Sequence, residues 1–146
     1  MRIRRVAPDD IPALARIAAA SYRVAFAAIL DRRALAARDA GFFVRRFRRM
    51  RRRMRLASVA GHPVGFSLTT RRHLDMLFVD PARQGRGAGR RLLAECERRG
   101  IRSLECFRDN GAARRFYEKS GWRQMRAYDR VFIGRRHAFL RYERPA

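Results

Sequence analysis

The sequence predicts a single domain of the α/β (α+β) class, with helices flanking a mixed sheet. The first observation is size: 146 residues, 47% of them hydrophobic, suffice for one ordinary core. The second is that short strand-like runs alternate with stretches of helical periodicity. The third is the order of these segments: a strand, two helices, three strands, a helix, a strand, a helix and two strands. We therefore expect about six to seven strands and about four helices.

The N-terminal third supplies an edge strand and two helices. Residues 2–7 alternate apolar and basic side chains, as an edge or half-buried strand does. Pro8, Asp9 and Asp10 suit the start of a helix, because acids are favourable at the positive end of the helix dipole. Its apolar positions recur at helical spacing: Ile11, Leu14, Ile17 and Ala18.

A second helical stretch is predicted from about Asp31 to Met54. Its apolar stripe consists of Phe43, Phe47, Met50 and Met54. Arginines cover the rest of its surface: Arg45, Arg46, Arg48, Arg49, Arg51, Arg52 and Arg53. This run is interpreted either as a solvated helix face or as a basic surface for an acidic partner.

The remaining elements follow from turn residues. Residues 55–70 read as two strands around a Gly61-His62-Pro63 turn, and the apolar run at 73–80 predicts a central strand. The later predicted elements are a helix at 88–99 ending at Gly100, a strand at 101–107, a short helix within 110–122 ending at Gly121, and strands within 122–133 and 138–144.

The charge of the chain has two explanations. The net charge is +23 and the pI about 11.9, which invites a nucleic-acid interpretation. However, every basic residue except Lys119 is arginine, and alanine is abundant, as in proteins from GC-rich, bacterial-like coding sequences. Composition alone raises the charge in that case, so nucleic-acid binding stays an alternative that is not favoured.

Location and metal binding are constrained by what the sequence lacks. No apolar run is long enough to span a membrane, and the start of the chain has no signal-peptide pattern, so we expect a cytoplasmic protein without a membrane partner. Cys96 and Cys106 lie among apolar neighbours and are expected to be buried free thiols. The three histidines, His62, His73 and His137, are far apart, so we expect no metal site.

The turn "QGRGAG" at residues 84–89 follows one predicted strand and precedes one predicted helix. The first amides of a helix lack internal acceptors, and glycines let an anion approach the backbone. A phosphate or pyrophosphate fits this turn, with Arg83, Arg86, Arg90 and Arg91 adding positive charge. The turn lacks the Gly-Lys-Ser/Thr ending of a nucleotide-triphosphate loop and the Gly-x-Gly-x-x-Gly spacing of a dinucleotide fold.

Two blocks resemble the GNAT superfamily of N-acetyltransferases. The first, "LDMLFVDPARQGRGAGRRLL", contains the Gln/Arg-x-x-Gly-x-Gly/Ala pattern. The second, "LECFRDNGAARRFYEKSGW", resembles the Asn-x-x-Ala-x-x-Phe-Tyr pattern, closed by glycine and an aromatic residue. Its matching positions are Asn110, Ala113, Phe116, Tyr117, Gly121 and Trp122. The resemblance implies one acetyltransferase domain over 1–146, with a mostly antiparallel sheet.

The resemblance implies acetyl-CoA as co-substrate. Its pyrophosphate would lie on the amides of Gln84, Gly85, Arg86, Gly87, Ala88 and Gly89. The pantetheine arm would pair with the strand Leu77, Phe78 and Val79, and an amide near Phe78 or Val79 would polarise the thioester carbonyl. Asn110 would hydrogen-bond the arm.

Direct attack of an amine on a thioester needs a base and can use an acid. Tyr117 matches the tyrosine that serves as acid in the family, although packing under the loop is its alternative role. Glu105 and Asp75 are the candidate bases, and each could instead form an ordinary ion pair; His73 is a weaker candidate.

The acceptor is not identified by the sequence. By resemblance, residues 21–30 and the strand within 122–133 set it. Tyr22, Phe26 and Trp122 are candidates for an acceptor cleft or for the core. A basic rim favours acceptors with a carboxylate or phosphate. Two kinds of acceptor remain open, a small-molecule amine and a protein amino group, and the protein could form a homodimer. Two alternative functions also remain open. One is a nucleic-acid binder with Phe42, Phe43 and Phe47 as stacking aromatics, and the other is a non-catalytic acyl-CoA binder.

Overall fold

The strands form one seven-stranded sheet in the order β1-β2-β3-β4-β5-β7-β6. The computed structural model describes residues 1–145, and within this range β4 and β5 are the only parallel neighbours. The strands are β1 (Arg2–Arg5), β2 (Met54–Val59), β3 (His62–Thr70), β4 (His73–Val79), β5 (Ser103–Phe107), β6 (Arg123–Phe132) and β7 (Arg135–Glu143). The predicted mixed sheet is confirmed, with β1 at one edge and β4 at the centre.

Five α-helices accompany the sheet within residues 1–145, where about four were predicted. They are α1 (Ile11–Ala25), α2 (Arg32–Ala37), α3 (Ala40–Met50), α4 (Ala88–Arg98) and α5 (Gly111–Lys119). None of the helices described within residues 1–145 is long and apolar enough to cross a membrane.

The prediction of one helical stretch from Asp31 to Met54 was wrong. The side chain of Asp31 accepts the Ala34 N–H at 2.8 Å and begins α2, and Asp39 accepts the Phe42 N–H at 2.8 Å and begins α3. Asp39 has an extended backbone, because an N-cap residue does not have helical dihedral angles. Its capping of α3 therefore competes with continuation of α2. Met54 is the first residue of β2 and lies fully buried there.

The predicted Gly61-His62-Pro63 turn is also corrected. Both Ala60 and Gly61 have positive φ, 52° and 81°, as in the two-residue turns that match strand twist. His62 therefore begins β3 and pairs with Val59.

The core lies on both faces of the sheet. On one face, α1 and α3 pack on β2, β3 and β4, with Phe43, Phe47 and Phe66 at most 1% exposed. On the other face, α4 and α5 pack on β4, β5 and β7 through Leu93, Cys96 and Trp122 among others. β4 contributes to both layers, through Met76 on the α1–α3 side and Leu74 on the α4–α5 side, so it lies in the middle of the molecule.

Candidate active site

The sheet opens between its two parallel strands. β4 and β5 pair only at His73–Ser103 and Leu74–Leu104, and the strands then diverge. A cavity of about 150 Å³, the first cavity, lies at this opening and is lined by Asp75 to Phe78 on one side and Leu104 to Phe107 on the other. We refer to the opening as the β4–β5 cleft.

A β-bulge at Asp75 accounts for the divergence. Leu68 pairs with Met76 and Thr69 pairs with Leu74, so Asp75 is an extra residue in β4. Leu74 consequently packs on the α4–α5 face and Met76 on the α1–α3 face, although residues two apart in a regular strand share a face. A bulge bends its strand and breaks the ladder locally, which moves β4 away from β5.

The cleft edge of β4 carries backbone groups that are not bonded to β3, and of these the Val79 carbonyl accepts a hydrogen bond from the Gln84 side-chain amide at 3.5 Å. The Asp80 N–H donates to the Val64 carbonyl at 2.8 Å. Antiparallel ladders alternate, so Phe78 is bonded to β3, whereas the N–H and C=O groups of Leu77 and Val79 point away from β3. Of the two amides predicted to polarise a carbonyl, that of Val79 faces the cleft, and that of Phe78 does not.

The glycine turn follows directly after β4. Gly85 and Gly87 have φ of 83° and 87°, and a Cβ at either would meet nothing within 4 Å. Gly87 is the N-cap of α4 and provides no side-chain cap. The first bond back to the turn comes from the Arg91 N–H to the Gly87 carbonyl, so the amides of Ala88, Gly89 and Arg90 have no acceptor within the helix. Open space and free donors together suit an anion.

The start of α5 and its buried face border the same cleft. Asn110 caps α5 by accepting the Ala113 N–H at 3.2 Å, which leaves its amide nitrogen free to donate. Tyr117 is 8% exposed and lines the first cavity, and its hydroxyl has no hydrogen-bond partner within residues 1–145. Burial raises the pKa of Tyr117 well above its usual range, so the hydroxyl stays protonated.

The two candidate bases differ in their partners. Arg130 Nε lies 3.1 Å and 3.0 Å from the two oxygens of Glu105, and the Tyr128 hydroxyl donates to the same carboxylate. Burial alone would raise the pKa of Glu105, but these hydrogen bonds outweigh it and hold the pKa below its usual range. Asp75 is exposed and has no hydrogen-bond or ion-pair partner within the described chain. The His73 ring is bonded to the Ser103 hydroxyl at 2.8 Å.

The family model for the acetyltransferase (GNAT) domain matches residues 41–143. The chain belongs to the GNAT acetyltransferase family. A search of curated proteins gave no significant match.

Solved GNAT structures share the fold over almost the whole chain. A GCN5-related N-acetyltransferase from Rhodopseudomonas palustris is 27% identical, with a TM-score of 0.78 over 99% of this chain and 95% of that one. The PaiA N-acetyltransferase from Thermoplasma acidophilum, in complex with coenzyme A, is 17% identical, with a TM-score of 0.72 over 99% and 98%. The yncA protein of Salmonella typhimurium, with its cofactor acetyl-CoA, is 20% identical, with a TM-score of 0.68 over 97% and 91%. The predictions of a GNAT fold and of an acetyltransferase are confirmed.

Several predicted site residues of this GNAT domain meet at the first cavity. They are Asp75, Leu77, Phe78, Glu105, Asn110 and Tyr117. The glycine turn lies beyond the end of β4, where a Cβ on Gly89 would be 3.6 Å from Val79 Cγ2. Tyr22 and Phe26 also line the cavity.

Burial decides between the alternative roles of Trp122, Phe43 and Phe47, and it corrects the expectation for Cys106. Trp122 is 2% exposed and donates to Glu97 at 2.8 Å, so it belongs to the core and not to an acceptor cleft. Cys106 is half-buried and not fully buried, because it lines the first cavity; its burial raises its pKa to about 11. Phe43 and Phe47 are core residues and unavailable for stacking with bases.

A second cavity of about 180 Å³ is lined by residues that the sequence did not assign to the active site. Arg38, Phe42, Arg46 and Phe132 line it, and Arg130 lines both cavities. These residues come from α3, the turn before it and β6, so only the folded chain brings them to β4 and β5.

Proposed function

We propose that this protein transfers the acetyl group of acetyl-CoA to the primary amine of an acceptor. The observation that carries the proposal is a continuous row of free backbone N–H donors from the cleft edge of β4 to the start of α4. The N–H groups of Leu77 and Val79, which point away from β3, lead into the free amides at the start of α4. An extended thioester with a pyrophosphate needs such a strand edge followed by an anion site.

The residues of the path fit the parts of acetyl-CoA. The amides of 84–89 would bind the pyrophosphate, and the open space at Gly85 and Gly87 supports a close approach of its oxygens. Arg86, Arg90 and Arg91 are exposed beside the turn and would add charge. Leu77 and Val79 would bind the pantetheine arm, and the free amide of Asn110 would donate to it.

Acetyl-CoA supplies an activated acyl thioester, and the chain supplies orientation and proton transfer. A lysine-like amine with a pKa near 10.4 is protonated at neutral pH, so a base has to accept a proton before attack. Asp75 is better suited to this role than Glu105. The carboxylate of Asp75 has no hydrogen-bond partner in the described chain, whereas that of Glu105 accepts hydrogen bonds from Arg130 and Tyr128. Glu105 would then orient Arg130.

Tyr117 would act as the acid that protonates the leaving sulfur. Its raised pKa keeps the proton on the oxygen, and its hydroxyl is not committed to another residue of the described chain. The Val79 amide would stabilise charge on the carbonyl oxygen. We place this enzyme in the cytoplasm of a bacterial-like cell, with a small-molecule or protein amine as acceptor.

Calorimetry with acetyl-CoA and an amine screen test this proposal. We expect saturable binding of acetyl-CoA and release of free thiol in the presence of at least one amine from a set of amines, amino acids and protein N-termini. Absence of acetyl-CoA binding to the folded protein would refute the assignment. Binding without transfer to any acceptor class would favour a non-catalytic acyl-CoA binder.

A further inference from the structure

The second cavity continues from the first across the bulge in β4. Asp75, Glu105 and Arg130 line both cavities, whereas Arg38, Phe42 and Arg46 line the second alone. The two cavities therefore meet at the point where the proposed base lies. A molecule in the second cavity would place one end beside Asp75 and the other toward α3.

The far end of the second cavity carries positive charge that the protein does not neutralise. Glu105 is already paired with Arg130, but neither Arg38 nor Arg46 has an acidic partner within residues 1–145. The Nε of Arg46 is buried and has no hydrogen-bond partner in that range. A buried cationic donor without a partner is costly, and an anionic ligand would remove this cost.

Arg38 is held in a way that leaves its donors available. Its guanidinium carbon lies 4.1 Å from the centre of the Phe42 ring, so the group stacks on an aromatic face. The stacked guanidinium also donates to the Tyr22 hydroxyl, and its remaining in-plane N–H groups can bind a carboxylate. Burial raises the pKa of the nearby Tyr22 hydroxyl, while the charges of Arg38 and Arg46 oppose the rise, in agreement with a cluster of cations around one wall.

Aromatic and aliphatic residues line the rest of the second cavity together with His73, and much of the surface of the cavity is polar. Tyr22, Phe42, Phe43 and Phe132 line the second cavity, together with Leu74 and Met76. At about 180 Å³ the cavity is smaller than typical drug-sized sites and suits a molecule of amino-acid size.

We infer that the acceptor is a free amino acid, whose carboxylate is bound by Arg46 and Arg38 and whose amine lies beside Asp75. This inference rests on the proposed acetyl transfer and names its substrate class. A peptide N-terminus would place a neutral amide at the arginines, and a simple amine would place nothing there, so both would be poorer acceptors.

Matched acceptors and one pair of variants test the inference. Phenylalanine, leucine and methionine are each compared with the corresponding amide and decarboxylated amine, and kcat/KM is measured by thiol release. We expect each amino acid to exceed its two analogues by about 10²-fold, as for charge-assisted hydrogen bonds in a desolvated site. Arg46→Gln should lower kcat/KM for the amino acid by about 10²-fold and leave the value for the amide nearly unchanged.

Arg45→Gln is the matched control, because Arg45 is the neighbouring residue of α3, is exposed and does not line either cavity. Arg45→Gln should leave kcat/KM unchanged for both the amino acid and its amide. Equal use of amino acids and amides by the wild type would overturn the inference, as would an equal loss for both acceptors in Arg46→Gln. An enzyme that binds acetyl-CoA and acetylates only amines without a carboxylate would overturn it too, while leaving acetyl transfer intact. Absence of acetyl-CoA binding would instead refute the proposed function itself.

Discussion

Replacing Tyr117 with phenylalanine removes one oxygen atom from the wall of the first cavity and leaves the aromatic ring in place. The ring packs with Phe116 at 5.1 Å and Trp122 at 6.2 Å between centroids, and these contacts persist in the variant. The hydroxyl has no hydrogen-bond partner within residues 1–145, so its removal breaks no bond that is described there. We therefore expect the free energy of unfolding to change by less than about 1 kcal/mol.

Turnover should respond much more strongly than stability. General acid catalysis is worth about 10²–10⁴-fold, which corresponds to about 3–5 kcal/mol of activation free energy. We expect kcat to fall by that factor, while the affinity for acetyl-CoA changes little, because the hydroxyl acts as charge develops on sulfur. Because burial raises the pKa of Tyr117, its proton is retained throughout the range from about pH 6 to 9, and the wild-type rate should show no loss from this group there.

The assay measures kcat, the affinity for acetyl-CoA and the melting temperature of wild type and variant, with an acceptor from the amine screen. A purely structural tyrosine would give the reverse pattern, with lower stability or affinity and preserved turnover. An unchanged kcat, with chemistry shown to be rate-limiting, would exclude Tyr117 as the acid and indicate water as the donor.

Further results are expected for the glycine turn, the two acids, the core and nucleic-acid binding. Gly87→Glu should abolish acetyl-CoA binding in calorimetry, because a carboxylate would repel the pyrophosphate and the φ of 87° is strained for any other residue; near-normal affinity in a folded variant would contradict the role of the turn. Asp75→Asn should lower kcat by at least about 10²-fold, whereas Glu105→Gln should chiefly lower stability, by about 1–2 kcal/mol at pH 7. Since the folded-state pKa of Glu105 is depressed, its contribution is present above about pH 5 and is lost as pH falls, so wild type and Glu105→Gln should converge in acid melts. Phe47→Ala should cost about 3–5 kcal/mol in denaturant unfolding, whereas Arg48→Ala, on the exposed face of the same helix, should cost less than about 0.5 kcal/mol. Binding to a random DNA duplex should weaken steeply between low and physiological salt; tight, sequence-selective binding at physiological salt would favour a nucleic-acid function.

The elements whose cause is local were predictable from the sequence. The alternation in β1, the apolar run of β4 and the glycines that end α4 and α5 act over a few neighbouring residues, and these elements formed as predicted. The turn at 84–89 was likewise predictable, because free helix amides and open space at glycine depend only on adjacent backbone.

The wrong prediction of one helix from Asp31 to Met54 arose because helical periodicity competed with other interactions. The apolar stripe at Phe43 and Phe47 continues in helical spacing to Met54, so periodicity favoured one long helix. Asp39 capping α3 and the pairing of Met54 with Leu68 overrode that pattern, and the second of these is a contact between distant residues. A propensity that extends over one segment is weak against burial in a sheet.

Contacts between distant parts of the chain establish which acid is free and where the second cavity lies. Asp75 and Glu105 are equivalent candidates in the sequence, and they differ because β6 returns Arg130 and Tyr128 to Glu105 across about 25 positions of chain. The bulge that opens the β4–β5 cleft depends on how β4 pairs with β3. The alternation of side chains along a strand does not show where an extra residue such as Asp75 interrupts this pairing. Arg46 looks like the other arginines of its helix in the sequence, and the packing of α3 on the sheet turns it, but not Arg45, toward the second cavity. Long-range pairing is fixed by the free energy of the whole core, so it cannot be read from any one segment.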